Sequence, residues 1–394
     1  MHIVLATTVY PPDNGWGGIG TYLYHMSRGL VALGHRVTVV CGFGDQPRES
    51  QEDGVTALRL LDTRCSAASS PSRQVCAILE QLIKTESVDV IEFPEYEALG
   101  LDFQRAHPDF PVVVKLHGDT ELCLAGGVPG WKRLLFRLHM PGQAATAIRN
   151  ERETVRRASI VISPSRWLID ECLSRGWQLP REAQVVPNPI LRQPASPSAP
   201  NYSGKTVIWL GRLDLRKGAD LLPSIAAGVW QRVPEAQFHV IGQALPHESR
   251  TWSEWIEERV PVAKRAQLVF HGGLPADAVL KRLSSQSLAV FASTWENFPY
   301  AQLECMLNGM ACVNASVGGA SEMGVSGESL INVPRTASRI SSALITLLED
   351  NELRERVGRA AAAHVRTHYS ATTVATEMSK IYSLAGDQRR RSAA

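Results

Sequence analysis

Two cations stand close together after the strand predicted at residues 206–210. Arg212 and Lys217 both belong to the segment WLGRLDLRKG. Because this segment follows a strand and precedes a helix predicted from about Gly218, both side chains should lie at the carboxyl end of that strand. An arginine fork and a lysine point charge in such a place can neutralise a diphosphate. Taken alone, the pair is better explained as two solvated surface charges.

Two glutamates follow another predicted strand, at residues 288–291. In the segment ASTWENFPYAQLE, Glu296 lies on the loop, Pro299 suits the first turn of a helix, and Glu304 falls in the second turn. Both carboxylates can therefore face one cleft and accept hydrogen bonds from sugar hydroxyls. The alternative is two unrelated surface glutamates. A glycine-rich turn, VGGASE at 317–322, follows the strand predicted at 311–314 and offers further backbone donors.

A glycine-rich segment near the start, GWGGIG at 15–20, matches the G-x-G-x-x-G pattern of dinucleotide-binding proteins. That function requires the first glycine to follow a strand directly and an acidic residue to stand about 20 positions on. Gly15 comes well after the predicted strand 3–6, and the second strand ends VVCG without an acidic residue, so the sequence argues against an NAD site. Such a loop entering a helix still offers free N–H groups to an anion. A simple tight turn is the alternative.

Strands that are apolar on both faces alternate with helical patterns throughout, as in parallel sheets covered by helices. They are predicted at 3–6, 37–41, 88–93, 112–116 and 160–163, then at 206–210, 238–241, 268–270, 288–291 and 311–314, with the first helix at 18–33. Five prolines between positions 187 and 200 interrupt the alternation. The sequence therefore predicts an α/β protein: a doubly wound domain at 1–186, a linker at 187–204 and a second such domain at 205–369, with ligands in the cleft between them.

Composition narrows the function classes. A chain of 394 residues is too long for a single ordinary hydrophobic core. Its 41 basic and 39 acidic residues give a net charge of +2, which provides no general attraction for nucleic acid, so no such partner is expected. Seven cysteines without a C-x-x-C pair predict buried reduced thiols rather than disulfides or a zinc site. Without a signal-peptide pattern or an apolar run of roughly 20 residues, a cytoplasmic protein is expected.

Together, R-x4-K, then E-x7-E, then G-G-x-x-E resemble the pattern of the GT4 family of retaining glycosyltransferases. The resemblance extends to Gly17 and Gly18, to KLHGD at 115–119 and to VVPN at 185–188, and so covers most of the chain. It implies the GT-B fold, two Rossmann-like domains that face each other across a cleft. It also implies that a C-terminal helix, within about 370–388, packs back on the first domain.

The resemblance implies a role for each matching residue. Arg212 and Lys217 would grip the diphosphate of a nucleotide-sugar donor. Glu296, with Asn297 and Phe298 beside it, would bind the donor sugar, and Glu304 the ribose. Gly17 and Gly18 would approach the diphosphate from the first domain, and His117 would line the reaction centre. One departure from the family stands in ENFP at 296–299, where Pro299 replaces a glycine and removes a backbone donor to the sugar.

The chemistry expected is transfer of a sugar from a nucleotide-diphosphate donor to a polysaccharide, a lipid-linked acceptor or a small glycoside. No D-x-D motif occurs in the chain, so Arg212, Lys217 and the helix end at 17–20 are expected to stabilise the departing diphosphate without a metal. No cofactor is expected. Two other classes stay open: a GT-B-shaped epimerase or phosphorylase, and a non-catalytic protein that binds nucleotide sugars.

A basic amphipathic segment occupies residues 131–140. Trp131, Leu134, Leu135 and Leu138 form one apolar face, and basic residues occupy the others. Such a helix can lie in a membrane interface, which would suit a lipid-linked acceptor, and Phe136 lies off the main stripe. The alternative, that the stripe packs on the sheet of the first domain, is the commoner use of this pattern.

Overall fold

The computed structural model describes residues 1–12, 16–44, 46–61, 70–125, 141–180, 183–191 and 199–392. The chain divides into two compact units, one of residues 1–191 and 369–394, the other of residues 192–368. Gly15 and the segment 131–140 lie outside the described residues.

The first unit is built on an eight-stranded sheet in the order β3-β4-β2-β1-β5-β6-β7-β8. All its pairings are parallel except that of β3 with β4. The strands are β1 (His2–Thr7), β2 (Arg36–Gly44), β3 (Arg48–Glu52), β4 (Val55–Leu61), β5 (Val90–Pro94), β6 (Val112–Lys115), β7 (Ile160–Ser163) and β8 (Gln184–Val185). Every residue of β1 is buried, which is why that strand is apolar on both faces.

Helices cover this sheet. They are α1 (Gly18–Ala32), α2 (Pro71–Thr85), α3 (Leu101–Ala106), α4 (Thr120–Ala125), α5 (Gly142–Arg156) and α6 (Arg166–Ser174). The serines before α2 and α6 cap them, since the Ser70 and Ser165 hydroxyls accept from the backbone N–H groups three residues on. Gly34 has a φ of +80° just after α1, a conformation that suits glycine at a helix end.

The second unit has a six-stranded parallel sheet in the order β13-β10-β9-β14-β15-β16, and a separate antiparallel pair, β11 and β12. Its strands are β9 (Thr206–Leu210), β10 (Gln237–Ile241), β11 (Pro246–His247), β12 (Arg250–Thr251), β13 (Leu268–Phe270), β14 (Leu288–Phe291), β15 (Ala311–Ala315) and β16 (Ile331–Val333). Its helices are α7 (Leu222–Trp230), α8 (Trp252–Arg259), α9 (Ala276–Leu283), α10 (Tyr300–Leu307), α11 (Ala337–Glu349) and α12 (Asn351–His368).

One large cluster of the core of the second unit joins strands and helices. Trp209, Phe238 and Val290 on the strands pack with Ile225 on α7 and Leu344 on α11, all almost fully buried. One expectation is wrong here: the helix predicted from about Gly218 begins only at Leu222. The intervening residues form turns, and Gly218 has a φ of +89° that a helix cannot include.

The last helix, α13 (Ala371–Ser392), belongs to the first unit and packs along α1. The contact is close, because a Cβ at Gly29 of α1 would lie 2.6 Å from the carbonyl oxygen of Ala371. The Tyr382 hydroxyl donates to Glu92 Oε2 at 2.6 Å, both side chains being buried. Within the described residues, no helix is long and apolar enough to cross a membrane.

Candidate functional site

The donor-side residues of the second unit meet at the carboxyl ends of β9 and β14. Lys217 Nζ lies 2.5 Å from Glu296 Oε1, and Arg216 Nη1 lies 2.9 Å from the same oxygen. The Ser293 hydroxyl also donates to Glu296 Oε1, at 3.1 Å. Three donors thus converge on one buried carboxylate oxygen, which fixes the loop before α10.

The protonation of Glu296 follows from these contacts. Its burial opposes ionisation, but the charges of Lys217 and Arg216 outweigh it and hold the pKa of the carboxyl below its usual value. The side chain is therefore a carboxylate near neutral pH. It can accept hydrogen bonds from hydroxyl groups through the oxygen that the cations leave less engaged.

Close packing requires glycine at two turns of the second unit, at Gly218 and at Gly318. Gly218 packs against the carbonyl oxygen of Ala292, which would lie 2.1 Å from an added Cβ. Gly318, with a φ of +58°, packs equally closely on the carbonyl oxygen of Glu296. Both loops therefore carry glycine because their backbones press against the Glu296 segment. The neighbouring Asn297 and Phe298 are buried beside it.

Arg212 does not join this cluster. Its side chain is 54% exposed, and its guanidinium is 3.5 Å from the Asp214 carboxylate. Asp214 also accepts from the Lys217 backbone N–H at 2.7 Å, so one carboxylate orders the loop that carries both predicted cations. The sequence singled out Arg212 and Lys217 and missed Arg216, although all three lie in the same segment. Their charge alone cannot tell which of them faces Glu296.

Glu304 lies in the second turn of α10, as predicted, and differs from Glu296 in that no described residue forms an ion pair with it. Among the described residues, none donates a hydrogen bond to its carboxylate. Burial alone raises the pKa of Glu304 to about 7. The same helix face carries Tyr300, one turn earlier. A half-buried carboxyl group without a partner can accept hydrogen bonds from a ligand, such as those of a ribose.

In the first unit, Gly17 and Gly18 lie where α1 begins. Gly17 is the N-terminal capping residue, no side chain caps the helix, and the Thr21 N–H bonds the Gly17 carbonyl at 2.8 Å. The first N–H groups of α1 are therefore free of side-chain acceptors among the described residues. This is the arrangement in which helix ends bind anions.

His117 follows β6 and is placed by a buried glutamate that the sequence did not single out. Its backbone N–H donates to both Glu95 oxygens, at 2.8 and 2.9 Å, and the Gly118 N–H donates to Oε1 at 2.7 Å. The imidazole packs edge-on against the Tyr22 ring, with 5.1 Å between the centroids. Burial, and then the charge of Lys115, lower the pKa of His117 well below its usual value, so the ring is neutral.

Around that loop lies a buried polar network. Burial raises the pKa of Glu95 to about 8, against the effect of the Gly118 and His117 hydrogen bonds. Asp119 forms a two-pronged ion pair with Arg175, at 2.8 and 2.5 Å. Lys115 donates to the Val186 carbonyl at 2.6 Å, and burial lowers its pKa to about 7. These groups hold the His117 backbone in one conformation.

Comparisons with known proteins agree with this architecture. Two family models match the chain: "Glycosyltransferase Family 4" at residues 16–191 and "Glycosyl transferases group 1" at residues 196–364. The glycogen synthase of Mycobacterium tuberculosis is 24% identical over 417 residues, covering 97% of this chain and 94% of that protein.

Two solved structures share the fold. Sucrose-phosphate synthase from Thermosynechococcus elongatus superposes with a TM-score of 0.76 at 16% identity, over 100% of both chains. Anabaena HepE, solved in complex with UDP-glucose, superposes with a TM-score of 0.69 at 17% identity, over 97% of this chain and 99% of that one. The GT-B fold expected from the sequence is confirmed. The roles of the individual site residues stay predictions.

Proposed function

Because this chain is a GT4-type glycosyltransferase that uses a nucleotide-sugar donor, we propose that it transfers the sugar to a hydroxyl of a saccharide-containing acceptor, with retention of anomeric configuration and without a metal ion. The observation that supports this most directly is the Glu296 carboxylate held by Lys217 and Arg216. A carboxylate that can accept hydrogen bonds from sugar hydroxyls thus lies with two cations beyond the ends of β9 and β14, where doubly wound sheets bind ligands.

The proposed reaction breaks the bond between the anomeric carbon and the donor phosphate oxygen. Both electrons of that bond stay with the diphosphate, whose growing charge Lys217 and Arg212 stabilise. The acceptor oxygen forms the new bond on the same face of the sugar, and its proton passes to the departing phosphate oxygen. The neutral His117 imidazole can hydrogen-bond a sugar hydroxyl but carries no charge to the reaction centre.

Metal independence rests on these cations and on the helix end at Gly17 and Gly18. Within the described part of the chain, no cluster of three or more histidine, cysteine or acidic side chains is arranged to hold a metal ion. The proposal is tested by turnover in excess EDTA, which should match turnover without it. A loss that Mg²⁺ or Mn²⁺ restores would contradict the metal-free route.

The decisive experiment measures free nucleoside diphosphate after the protein is mixed with nucleotide sugars and candidate acceptors. A transferase releases it only when the acceptor is present. A phosphorylase or epimerase would give sugar phosphate or an isomerised sugar, and a binding protein would release nothing. NMR of the product's anomeric proton then reports retention or inversion.

A matched pair of variants tests the donor site. Lys217→Ala should weaken nucleoside-diphosphate binding at least about tenfold, because a charge-assisted contact contributes about 1.5–3 kcal/mol. Lys281→Ala removes the same charge from an exposed position on α9 and should leave binding unchanged. Equal affinity in the two variants would refute the diphosphate role of Lys217.

A peripheral membrane contact through residues 131–140 is a separate part of the proposal and would suit a lipid-linked acceptor. Wild-type protein should sediment with anionic vesicles at low salt, and the variant with Trp131→Ser and Phe136→Ser should not. Wild-type protein that stays in the supernatant would refute this contact and leave the transferase proposal intact.

A further inference from the structure

A large aromatic side chain is exposed directly before the first helix. Trp16 is 52% exposed, although it directly precedes Gly17 and Gly18 at the start of α1. Its indole packs edge-on against the Tyr24 ring, with centroids 4.9 Å apart and planes at 68°. The indole is therefore supported along one edge while much of its surface stays open to solvent.

The support under Trp16 is itself fixed. The Arg28 guanidinium lies 3.5 Å from the centroid of Tyr24, one helical turn earlier. Arg28 donates in turn to Asp53 Oδ2 at 2.9 Å and to the Tyr10 hydroxyl at 3.0 Å. Through Arg28, the group of Trp16, Tyr24 and Arg28 is thus held by residues that follow strands of the sheet: Tyr10 after β1 and Asp53 between β3 and β4. An aromatic group ordered in advance loses little entropy when a ligand binds to it.

One of the glycines that follow Trp16, Gly18, leaves room for such a ligand. Gly20 is explained by packing, because an added Cβ would lie 2.9 Å from the Val9 carbonyl oxygen. Gly18 is not: its φ is not positive, and among the described residues no atom lies within 4 Å of the place where its Cβ would be. Among the described residues, neither conformation nor packing therefore requires glycine there, and the place of a Gly18 Cβ is unoccupied by them.

We propose that Trp16 is a stacking platform for a sugar ring of the acceptor. This inference rests on the proposed function and names where the first unit holds the saccharide. A pyranose has one face made mostly of C–H groups, and the electron-rich face of an indole attracts such polarised hydrogens. An uncharged ring fits better than a phosphate, because the one cation of the stack, Arg28, is already paired with Asp53.

The acceptor, rather than the donor, is assigned to Trp16 because the donor groups Lys217, Glu296 and Glu304 all belong to the second unit. The assignment separates two measurable affinities. Loss of the indole should weaken acceptor binding and raise the acceptor KM, and it should leave the affinity for nucleoside diphosphate unchanged.

The test uses Trp16→Ala, Trp16→Phe and, as the control, Val262→Ala, which shortens a side chain that is 77% exposed in the second unit. Labelled proteins are applied to a panel of immobilised oligosaccharides with excess nucleoside diphosphate. We expect wild type and control to bind the same glycans, Trp16→Ala to bind them about tenfold more weakly, and Trp16→Phe to fall between, as for stacking contacts elsewhere. Gly18→Ala should also weaken glycan binding, with no change in the thermal midpoint.

Several outcomes would overturn the inference. These are unchanged glycan binding by Trp16→Ala, an equal loss of nucleoside-diphosphate affinity, and a wild-type protein that binds nucleoside diphosphate but no glycan. Binding of anionic phosphatidylglycerol vesicles that Trp16→Ala alone abolishes, with glycan binding intact, would assign the indole to a membrane instead. A protein that binds no nucleotide sugar at all would refute the proposed function, and this result is distinguishable from each of the others.

Discussion

Replacing Glu304 by glutamine should make the ligand-free protein more stable, although it removes a group expected to bind the donor. The side chain is half-buried on α10, no described residue forms an ion pair with it, and burial raises its pKa to about 7. A carboxyl group whose pKa is higher in the folded than in the unfolded protein favours folding least at high pH. The destabilisation that comes from ionising the half-buried carboxyl group is absent well below pH 4.5, grows as pH rises and reaches its full value above about pH 7.

The size of the effect follows from that shift. A rise from 4.5 to about 7 corresponds to about 3 kcal/mol at pH 8 and about 1.4 kcal/mol at pH 5.5, at 1.36 kcal/mol for each pKa unit. Glutamine keeps the shape of the side chain and carries no charge. The free energy of unfolding of Glu304→Gln, relative to wild type, should therefore rise by about 2 kcal/mol from pH 5.5 to pH 8. For a domain of this size, that difference corresponds to roughly 4–8 °C in Tm.

The assay is thermal unfolding of both proteins without ligand at pH 5.5 and pH 8. Glu328→Gln, a change at an exposed glutamate of the same unit, is the matched control and should show no pH-dependent difference. Nucleoside-diphosphate affinity, measured in parallel, should fall in Glu304→Gln. A Tm difference that stays constant with pH would refute the reasoning, since it would mean that burial does not raise the pKa of Glu304.

Three further predictions concern the first unit. Glu95→Gln should lower turnover about tenfold or more with unchanged nucleoside-diphosphate affinity, because an amide has one acceptor oxygen for the N–H groups around His117; unchanged kcat would contradict this. Tyr382→Phe should cost about 1–3 kcal/mol of unfolding free energy, measured by urea denaturation, because a buried carboxyl loses its hydroxyl donor; an unaltered midpoint would count against it. Arg175→Met should cost about 3–5 kcal/mol by leaving Asp119 unpaired, and adding Asp119→Asn should recover part of the loss; a double variant no better than the single one would disprove the pairing.

The parallel strands could be predicted because a strand that is buried on both faces needs apolar residues at successive positions. The residues of β1 and β14 are buried throughout, and each strand contains a run of four apolar residues, at 3–6 and 288–291. The edge strand β3 could not be predicted in this way. Its residues, RESQE, are polar and partly exposed, and it forms because β4 offers an antiparallel partner and Arg59 Nη1 pairs with Glu52 at 2.7 Å.

The site divides in the same manner. The sequence put Lys217 and Glu296 at the ends of two strands, and the structure brings these two side chains together, while their roles stay predictions. Glu95 could not be found from the sequence, because its role depends on donors more than 20 residues away, across a neighbouring strand. Arg216 could not be distinguished from Arg212 and Lys217 in the sequence. The path of the loop, which turns at Gly218, decides which cation reaches the carboxylate.

The place where the chain leaves the first unit and re-enters it bears on how the protein is made. The Ile190 N–H bonds the Tyr369 carbonyl at 2.8 Å, and the Ala371 N–H bonds the Ile190 carbonyl at 2.9 Å. The second unit is thus an uninterrupted insertion between two neighbouring backbone positions, which are the sites where nature and engineering tolerate inserted domains. During synthesis the inserted unit is complete before α13 emerges from the ribosome, so it can fold first, whereas the first unit must wait for the final helix to cover α1. Joining residue 190 to residue 370 through a short linker would remove that delay and give the first unit as one continuous polypeptide.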